Sequence, residues 1–211
     1  MRIRQHVNPL RADFLHIELE PLGLPAGRPV EVELGSAEGQ FLMERAVESP
    51  DRSYVGVEIR REMAALANRE CARRGLAQVR NVFANISVDL PRLFAPASVS
   101  RFFINFPDPW FKHRQRKRRV VGEELVDQLV SLLVPDGEIH VATDIFDIAL
   151  DAMAVLERDS PRQFRSLHAP WSFLPQSRFV ARSRRERHCE SEGIRIWRLA
   201  YAKGEGAEDA R

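Results

Sequence analysis

Short apolar runs alternate along the chain with segments whose apolar residues recur every three or four positions. The runs predict strands, which lie at Val30–Leu34, Tyr54–Glu58, Val79–Phe83, Val99–Asn105, Glu138–Ala142 and Ile194–Tyr201. The wider spacing predicts helices, which lie at Glu38–Val47, Arg60–Arg74, Gly122–Leu133 and Ile145–Leu156. Gly75 and the turn Pro135-Asp136-Gly137 stand where two of these helices should end.

Strands that alternate with helices predict an α/β fold, with a mostly parallel sheet and helices on both of its faces. The length of 211 residues suits one domain with a substantial core. We expect that domain to span residues 1–203, with a loose segment over residues 1–20 and a loose tail over residues 204–211.

Three polar or glycine-rich features follow the first three predicted strands. Glu33-Leu34-Gly35 ends the first strand and Gly39 follows, Glu58 closes the second, and Asn85 lies just past the third. In an open α/β sheet this edge binds ligands, and a carboxylate at the second strand can accept hydrogen bonds from ribose hydroxyls. A tight turn, an exposed glutamate and a turn-forming asparagine would explain each feature singly. Together they favour a nucleoside cofactor without a pyrophosphate, because the G-x-G-x-x-G and P-loop patterns are missing.

The segment after the fourth strand places one carboxylate between two prolines. Pro107 and Pro109 restrict the backbone around Asp108, and this favours a rigidly held carboxylate beside the cofactor. Asp144 follows the fifth strand, where it suits substrate contact, capping of the next helix, or both.

The segment Ser183-Arg184-Arg185-Glu186 has the spacing of a capping box. The residues after it look irregular, so we do not expect a helix to begin there. His188 and Cys189 are adjacent and lack further ligands at metal-binding spacing, so we expect no metal.

Charge is clustered although the net charge is only +2. One cluster runs from Lys112 to Arg119, and the other contains Arg178, Arg182, Arg184, Arg185 and Arg187. Each could be a solvated face, but their position beside candidate site residues favours phosphate binding. The sequence contains no apolar run of membrane-spanning or signal-peptide length, and its two cysteines suit a reduced cytoplasmic setting.

These motifs together resemble the bacterial tRNA (guanine-N7)-methyltransferases over nearly the whole chain. The most specific part is Phe106-Pro107-Asp108-Pro109-Trp110-x-Lys112, followed by Arg114 and Lys117-Arg118-Arg119. The opening Arg4 to Leu10, the first two cofactor motifs, Thr143-Asp144, and Ser183-x-x-Glu186 with Ile196 to Leu199 also match. The resemblance implies a Rossmann-like class I methyltransferase that uses S-adenosyl-L-methionine and acts on tRNA, at N7 of guanine 46 in the variable loop.

The resemblance also implies a role for each matching residue. Cofactor binding would involve Glu33, Gly35, Glu58, Asn85 and Asp108, with Asp108 also catalytic. Target binding would involve Lys112, Asp144, Ser183, Arg184, Arg185 and Glu186. RNA contact would involve Arg114, Gln115, Arg116, Lys117, Arg118 and Arg119. The chain departs from the family at Ser36-Ala37-Glu38, where the loop is usually richer in glycine, and this leaves the path of the loop open.

Three rival functions fit parts of the pattern. A methyltransferase with another substrate conflicts with the Phe-Pro-Asp-Pro-Trp segment, and a nucleotide-dependent oxidoreductase conflicts with the missing G-x-G-x-x-G. An RNA-binding module without activity conflicts with the presence of Asp108 and Glu58. The sequence leaves open whether the protein is a monomer or a homodimer.

Overall fold

A computed structural model describes residues 8, 9, 11, 14–108, 121–158 and 164–204. Its strands are β1 (Val30–Leu34), β2 (Ser53–Glu58), β3 (Val79–Phe83), β4 (Val99–Asn105), β5 (Leu133–Thr143), β6 (Phe164–Ser166) and β7 (Trp197–Lys203). Its helices are α1 (Gln40–Glu48), α2 (Arg61–Arg73), α3 (Ile86–Leu93), α4 (Glu123–Leu132), α5 (Phe146–Arg158) and α6 (Arg184–Ser191).

All seven strands form one sheet in the order β3-β2-β1-β4-β5-β7-β6. The first five strands are parallel, while β7 pairs antiparallel with both β5 and β6. The strand order reverses between β1 and β4, and ligands bind beyond the carboxyl ends of the strands at such a switch point. The mostly parallel sheet predicted from the sequence is therefore confirmed.

Helices cover both faces of the sheet because successive strand residues point to opposite sides. Phe102 belongs to the larger core cluster, together with α4 and α5 residues such as Leu129 and Met153. Its neighbour Phe103 belongs to a second cluster with Phe41 and Leu42 of α1. Within the described ranges, no helix is long and apolar enough to cross a membrane.

The segment before β1 is fixed to the rest of the structure at several points. Ile17 is buried, and its carbonyl accepts a hydrogen bond from Arg92 at 3.1 Å. Glu20 forms an ion pair with Arg80 at 2.8 Å. Residues 17–20 therefore pack against the β3–α3 side of the sheet.

The turn predicted before the fifth strand is a bulge inside β5. Leu133 pairs with Val99 and Glu138 pairs with Arg101, so the four residues 134–137 lie opposite the single residue Ser100 in the same ladder. Asp136 has a φ of 57°, which an aspartate tolerates better than most residues. The prediction that a turn separates the helix from the fifth strand was thus wrong, because β5 already begins at Leu133.

The short elements α3, β6 and α6 were not predicted. Helix α3 has eight residues and contains Pro91, so its apolar pattern is too brief to show a helical period. Its start is fixed by Asn85, whose side chain accepts a hydrogen bond from the Ser87 amide at 3.0 Å.

Gly56 provides a test of packing at the centre of β2. A Cβ at this position would lie 2.2 Å from Asn81 Oδ1 and 2.4 Å from Ser36 Oγ. We expect Gly56→Ala to lower the free energy of unfolding by about 1–3 kcal/mol, because these buried groups must move. Urea unfolding would measure this. Gly122→Ala is the control, because a Cβ there meets nothing within 4 Å, and it should cost no more than about 1 kcal/mol. Equal losses in the two variants would contradict this account.

Candidate functional site

The loop after β1 crosses the end of β2. The Gly35 amide donates to the Val57 carbonyl at 2.8 Å, and both Gly35 and Gly39 have φ in the left-handed region, at 82° and 69°. Ser36 is buried and donates to Asn81 Oδ1 at 3.2 Å. These contacts define the path of the loop that the Ser36-Ala37-Glu38 departure had left open.

Glu58 is a buried carboxylate that joins this loop to the start of α2. Its oxygens accept hydrogen bonds from the Ala37 amide at 2.8 Å and the Arg60 amide at 2.9 Å. The Arg60 guanidinium donates to both oxygens, at 2.7 and 2.9 Å. Glu58 therefore lies at the strand end where the sequence placed it, with local partners in this structure. Its contact with ribose hydroxyls stays a prediction.

Glu33 lies at the same edge and is only half satisfied. Asn105 at the end of β4 donates to Glu33 Oε1 at 2.9 Å, while Oε2 is buried without a hydrogen-bond partner among the described residues. Burial raises the pKa of Glu33 to about 8, and the negative charges of Glu58 and Glu186 act in the same direction. Glu33 is therefore mostly protonated at neutral pH. Asn105 had no role in the sequence-based prediction, although a polar residue at a strand end was a usable signal.

Both the oxygen and the nitrogen of the Asn85 side-chain amide form hydrogen bonds. Besides capping α3, its amide nitrogen donates to the carbonyls of Pro9 and Phe14, at 2.9 and 3.1 Å. Asn85 therefore has a local role as a helix cap, where the sequence analysis had left open a turn-forming asparagine, and it also tethers the N-terminal segment. Adenine recognition by Asn85 stays a prediction.

Asp108 follows β4 beyond a strained residue. Phe106 has a φ of 49°, and its amide donates to the Ala142 carbonyl at 2.7 Å, so the chain turns sharply beside β5. The hydrogen bond with Glu58 raises the pKa of Arg60, and the charge of Asp108 adds to this effect. Asp108 is therefore part of the same charged edge as Glu58. Pro109, Lys112 and the predicted RNA-contacting residues Arg114, Gln115, Arg116, Lys117, Arg118 and Arg119 lie outside the described residues.

Asp144 follows β5, just before the next helix. The Ile145 amide donates to the hydroxyl of Thr143, at 3.2 Å, and capping of the helix by Asp144 stays a prediction. Asp144 forms an ion pair with Arg185. This ion pair brings the end of β5 close to the segment Ser183 to Glu186. The sequence analysis expected both to contact the target nucleotide.

The expectation that no helix begins at Ser183 was wrong. Helix α6 runs from Arg184 to Ser191, and Ser183 Oγ accepts a hydrogen bond from the Glu186 amide at 3.1 Å. The helix is strongly polar, so no clear apolar stripe marks it, but it buries Cys189 and Glu186. Glu186 pairs with Arg198 of β7 at 2.8 Å, which fixes the helix to the sheet.

Every arginine of the second basic cluster pairs with a carboxylate of the protein. Three of these pairs dock α6 onto other elements: Arg184 with Glu38, Arg185 with Asp144 and Arg187 with Glu44. The other two are Arg178 with Glu138 and Arg182 with Glu190. Exposed ion pairs are weak, so a phosphate could replace a carboxylate. Phosphate binding by this cluster stays a prediction.

A small pocket lies between the strand ends and the loop before α6. Asn105, His140, Phe179, Glu186 and Arg198 are among its lining residues. Burial lowers the pKa of His140, against the opposing effect of its hydrogen bond with Glu138 at 2.7 Å. Nothing in the sequence pattern singled out His140. Among the described residues, no group of three or more side chains is arranged to bind a metal ion.

Comparison with known proteins places the chain in a family. A family model described as a putative methyltransferase matches residues 27–199. The tRNA (guanine-N(7)-)-methyltransferase of Synechococcus sp. (strain JA-3-3Ab) is 37% identical over 201 residues, covering 93% of this chain and 84% of the relative. The enzyme of the same name from Thermosynechococcus vestitus is 33% identical over 207 residues, covering 96% and 95%. The chain belongs to the tRNA (guanine-N7)-methyltransferase family. The family resemblance of the sequence motifs is thereby confirmed.

Solved structures with low sequence identity share the fold of this family member. The 16S rRNA methyltransferase KamB gives a TM-score of 0.61 at 14% identity, covering 84% of this chain and 88% of that one. Geranyl diphosphate C-methyltransferase from Streptomyces coelicolor, solved with S-adenosyl-L-homocysteine, gives 0.54 at 12% identity, covering 87% and 76%. The Rossmann-like class I methyltransferase fold is therefore confirmed.

The raised pKa of Glu33 predicts how stability depends on pH. The carboxyl keeps its proton in the folded state to about pH 8 but loses it near pH 4.5 in the unfolded state. Its favourable contribution is thus complete below about pH 4.5 and is lost as the pH rises towards 8. Glu33→Gln cannot ionise and still offers an acceptor to Asn105. We expect its stability relative to the wild type to increase from about pH 5 to about pH 8.5, measured by urea unfolding. A constant difference would show that Glu33 is ionised throughout this range.

Proposed function

We propose that this protein transfers the methyl group of S-adenosyl-L-methionine to N7 of guanine 46 in the variable loop of tRNA, giving 7-methylguanosine. The observation that carries the proposal is the match to curated tRNA (guanine-N(7)-)-methyltransferases over 93–96% of the chain. The acidic side chains of Glu33, Glu58 and Asp108 at the switch point of the sheet support it. The proposed place of action is the cytoplasm.

The residues at the sheet edge fit such a cofactor. S-adenosyl-L-methionine supplies an electrophilic methyl group on a sulfonium. Glu33 offers a buried Oε2 without a partner among the described residues, which suits a hydrogen bond with a polar group of the ligand. Glu58 is proposed to hold ribose hydroxyls, and it would then exchange part of its contact with Arg60. Gly35, where a Cβ would have open space around it, and Asn85 and Asp108 complete the proposed cofactor site.

Carboxylates are proposed to orient the target guanine. Guanine N7 has a free lone pair and no proton, so the protein needs no general base and acts by alignment. Asp108, Asp144 and Glu186 could accept hydrogen bonds from the N1 and N2 hydrogens and stabilise positive charge that develops on the purine. Asp144 is the more accessible of the two carboxylates near α6, because Glu186 is only 3% exposed. Lys112, Ser183, Arg184 and Arg185 are proposed to help hold the target nucleotide.

RNA binding outside the target pocket is assigned to the basic run Arg114 to Arg119. This run directly follows the proposed catalytic segment in the sequence. Contacts to phosphates by lysine and arginine release counterions, so binding by this run should weaken as salt rises. Base displacement would be needed where the target guanine is held in tertiary pairing.

The acceptor atom can be tested with a modified substrate. A tRNA with 7-deazaguanine at position 46 keeps the Watson–Crick edge but has a carbon in place of N7. We expect it to bind almost as tightly as unmodified tRNA and to accept no methyl group from labelled S-adenosyl-L-methionine. Unmodified tRNA is the matched control, and the methylated base is mapped by mass spectrometry. Efficient methylation of the 7-deaza tRNA would exclude N7 as the acceptor.

Asp108 is expected to act in the methyl-transfer step. Asp108→Asn keeps the shape of the side chain but removes its charge, so kcat should fall by about 10²–10³-fold, as for other lost electrostatic contacts in active sites. Single-turnover methylation would measure the change. Asp127→Asn, on the exposed face of α4, is the control and should retain normal turnover. A folded Asp108→Asn variant with near-normal kcat would remove Asp108 from the catalytic role.

A further inference from the structure

Three aromatic rings from distant parts of the chain meet beside the proposed target site. Phe146 begins α5, Phe173 lies in the loop after β6, and Trp197 begins β7. The ring centroid of Trp197 lies 4.6 Å from that of Phe146 and 4.8 Å from that of Phe173. Phe146 and Phe173 are themselves 6.2 Å apart. These distances are typical of rings in direct contact, so the three form one cluster.

The cluster is open to solvent on one side and carries a cation. Phe146 leaves 45% of its surface exposed. The guanidinium of the exposed Arg195 lies over the Trp197 ring, with its carbon 4.0 Å from the centroid. Trp171, two residues before Phe173, is 63% exposed and has a φ of 53°, a conformation that bulky residues rarely adopt. The large aromatic side chains of Phe146 and Trp171 are therefore exposed to solvent on this surface.

The cluster lies at the reactive edge of the sheet. Trp197 pairs with Thr143, the last residue of β5, and Asp144 follows Thr143 in the chain. Phe146 comes two residues after Asp144. The rings are thus continuous with the carboxylates proposed to hold the target guanine. Phe173 packs against the larger core cluster, so the aromatic cluster is anchored to the interior of the protein.

We propose that Phe146, Trp197 and Arg195, supported by Phe173, form a stacking platform for an unpaired base of the tRNA next to the target guanine. This inference rests on the proposed function. Proteins bind single-stranded RNA bases on aromatic rings and on guanidinium planes, and this surface presents both. Drawing a guanine into the site also separates its neighbours from their stack, and a displaced neighbour needs a new surface. The positive charge of Arg195 suits RNA better than an apolar protein segment.

Substitutions at Phe146 separate stacking from other contributions. Phe146→Leu keeps an apolar side chain without a ring, and Phe146→Tyr keeps the ring. Leu150→Ala is the matched control, because Leu150 is 42% exposed and lies one turn further along α5. The affinity for unmodified tRNA would be measured at several salt concentrations in the presence of S-adenosyl-L-homocysteine. The affinity for S-adenosyl-L-homocysteine alone, and the sedimentation coefficient without RNA, would be measured in parallel.

We expect Phe146→Leu to weaken tRNA binding by about fivefold or more, the loss typical of one base stack. Phe146→Tyr and Leu150→Ala should bind tRNA like the wild type. The slope of log affinity against log salt should stay unchanged in Phe146→Leu, because no phosphate contact is lost. Cofactor affinity should also be unchanged.

Four results would overturn the platform: wild-type affinity in Phe146→Leu, an equal loss in Leu150→Ala, a reduced salt slope, or an altered oligomeric state. An altered oligomeric state would instead identify the cluster as a contact between copies of the chain. A wild-type protein that neither binds nor methylates tRNA would overturn the proposed function itself, and the platform with it. Failure of the platform alone would leave wild-type methylation intact.

Discussion

The buried carboxylate of Glu58 holds the reactive edge of this protein together. It accepts hydrogen bonds from the loop after β1 and from both the amide and the guanidinium of Arg60 at the start of α2. The charged donors make these bonds stronger than neutral ones and offset the cost of burying the negative charge. Glu33 and Asn105 lie side by side near Glu58 because β1 pairs with β4. The loop after β1 and the start of α2 are therefore joined through one carboxylate, whose ion pair is local in sequence.

Ion pairs hold helix α6 against the other side of the same edge. Its arginines reach Glu38 in the loop after β1, Glu44 in α1 and Asp144 after β5. Three elements are thus joined by a helix that contributes little apolar surface. Residues that look like an RNA-binding cluster in the sequence serve here as the contacts that position Ser183 and Glu186.

The parts of the fold found from the sequence are those in which burial leaves a regular pattern. Strands β1 to β4 are rich in buried apolar residues, and their bounds were predicted to within one residue. Helix α6 was missed because salt bridges to distant residues, rather than an apolar face, keep it in place. The long β5 was cut short because a proline and a glycine usually end an element, whereas here they form a bulge.

In the candidate site, the sequence predicted where the acidic residues lie but not which side chains they contact. The rule that ligands bind at strand ends placed Glu33, Glu58, Asp108 and Asp144 at one edge, and the structure brings them there. It could not show that Arg60 holds Glu58, that Arg185 holds Asp144, or that Glu33 keeps its proton. Each of these depends on which side chains meet across the sheet. Asn85 illustrates the limit, since its amide binds the carbonyls of Pro9 and Phe14, more than seventy residues earlier in the chain.

That tether has a consequence for the order of folding during synthesis. Pro9 and Phe14 leave the ribosome more than seventy residues before their anchor Asn85, which is positioned only when α3 forms. Closing so long a loop has an entropic cost that is repaid only after β3 and α3 are in place. The segment must therefore remain undocked while the first half of the sheet assembles. It is exposed to proteases and to other chains during that interval, and it becomes protected once its carbonyls are bound.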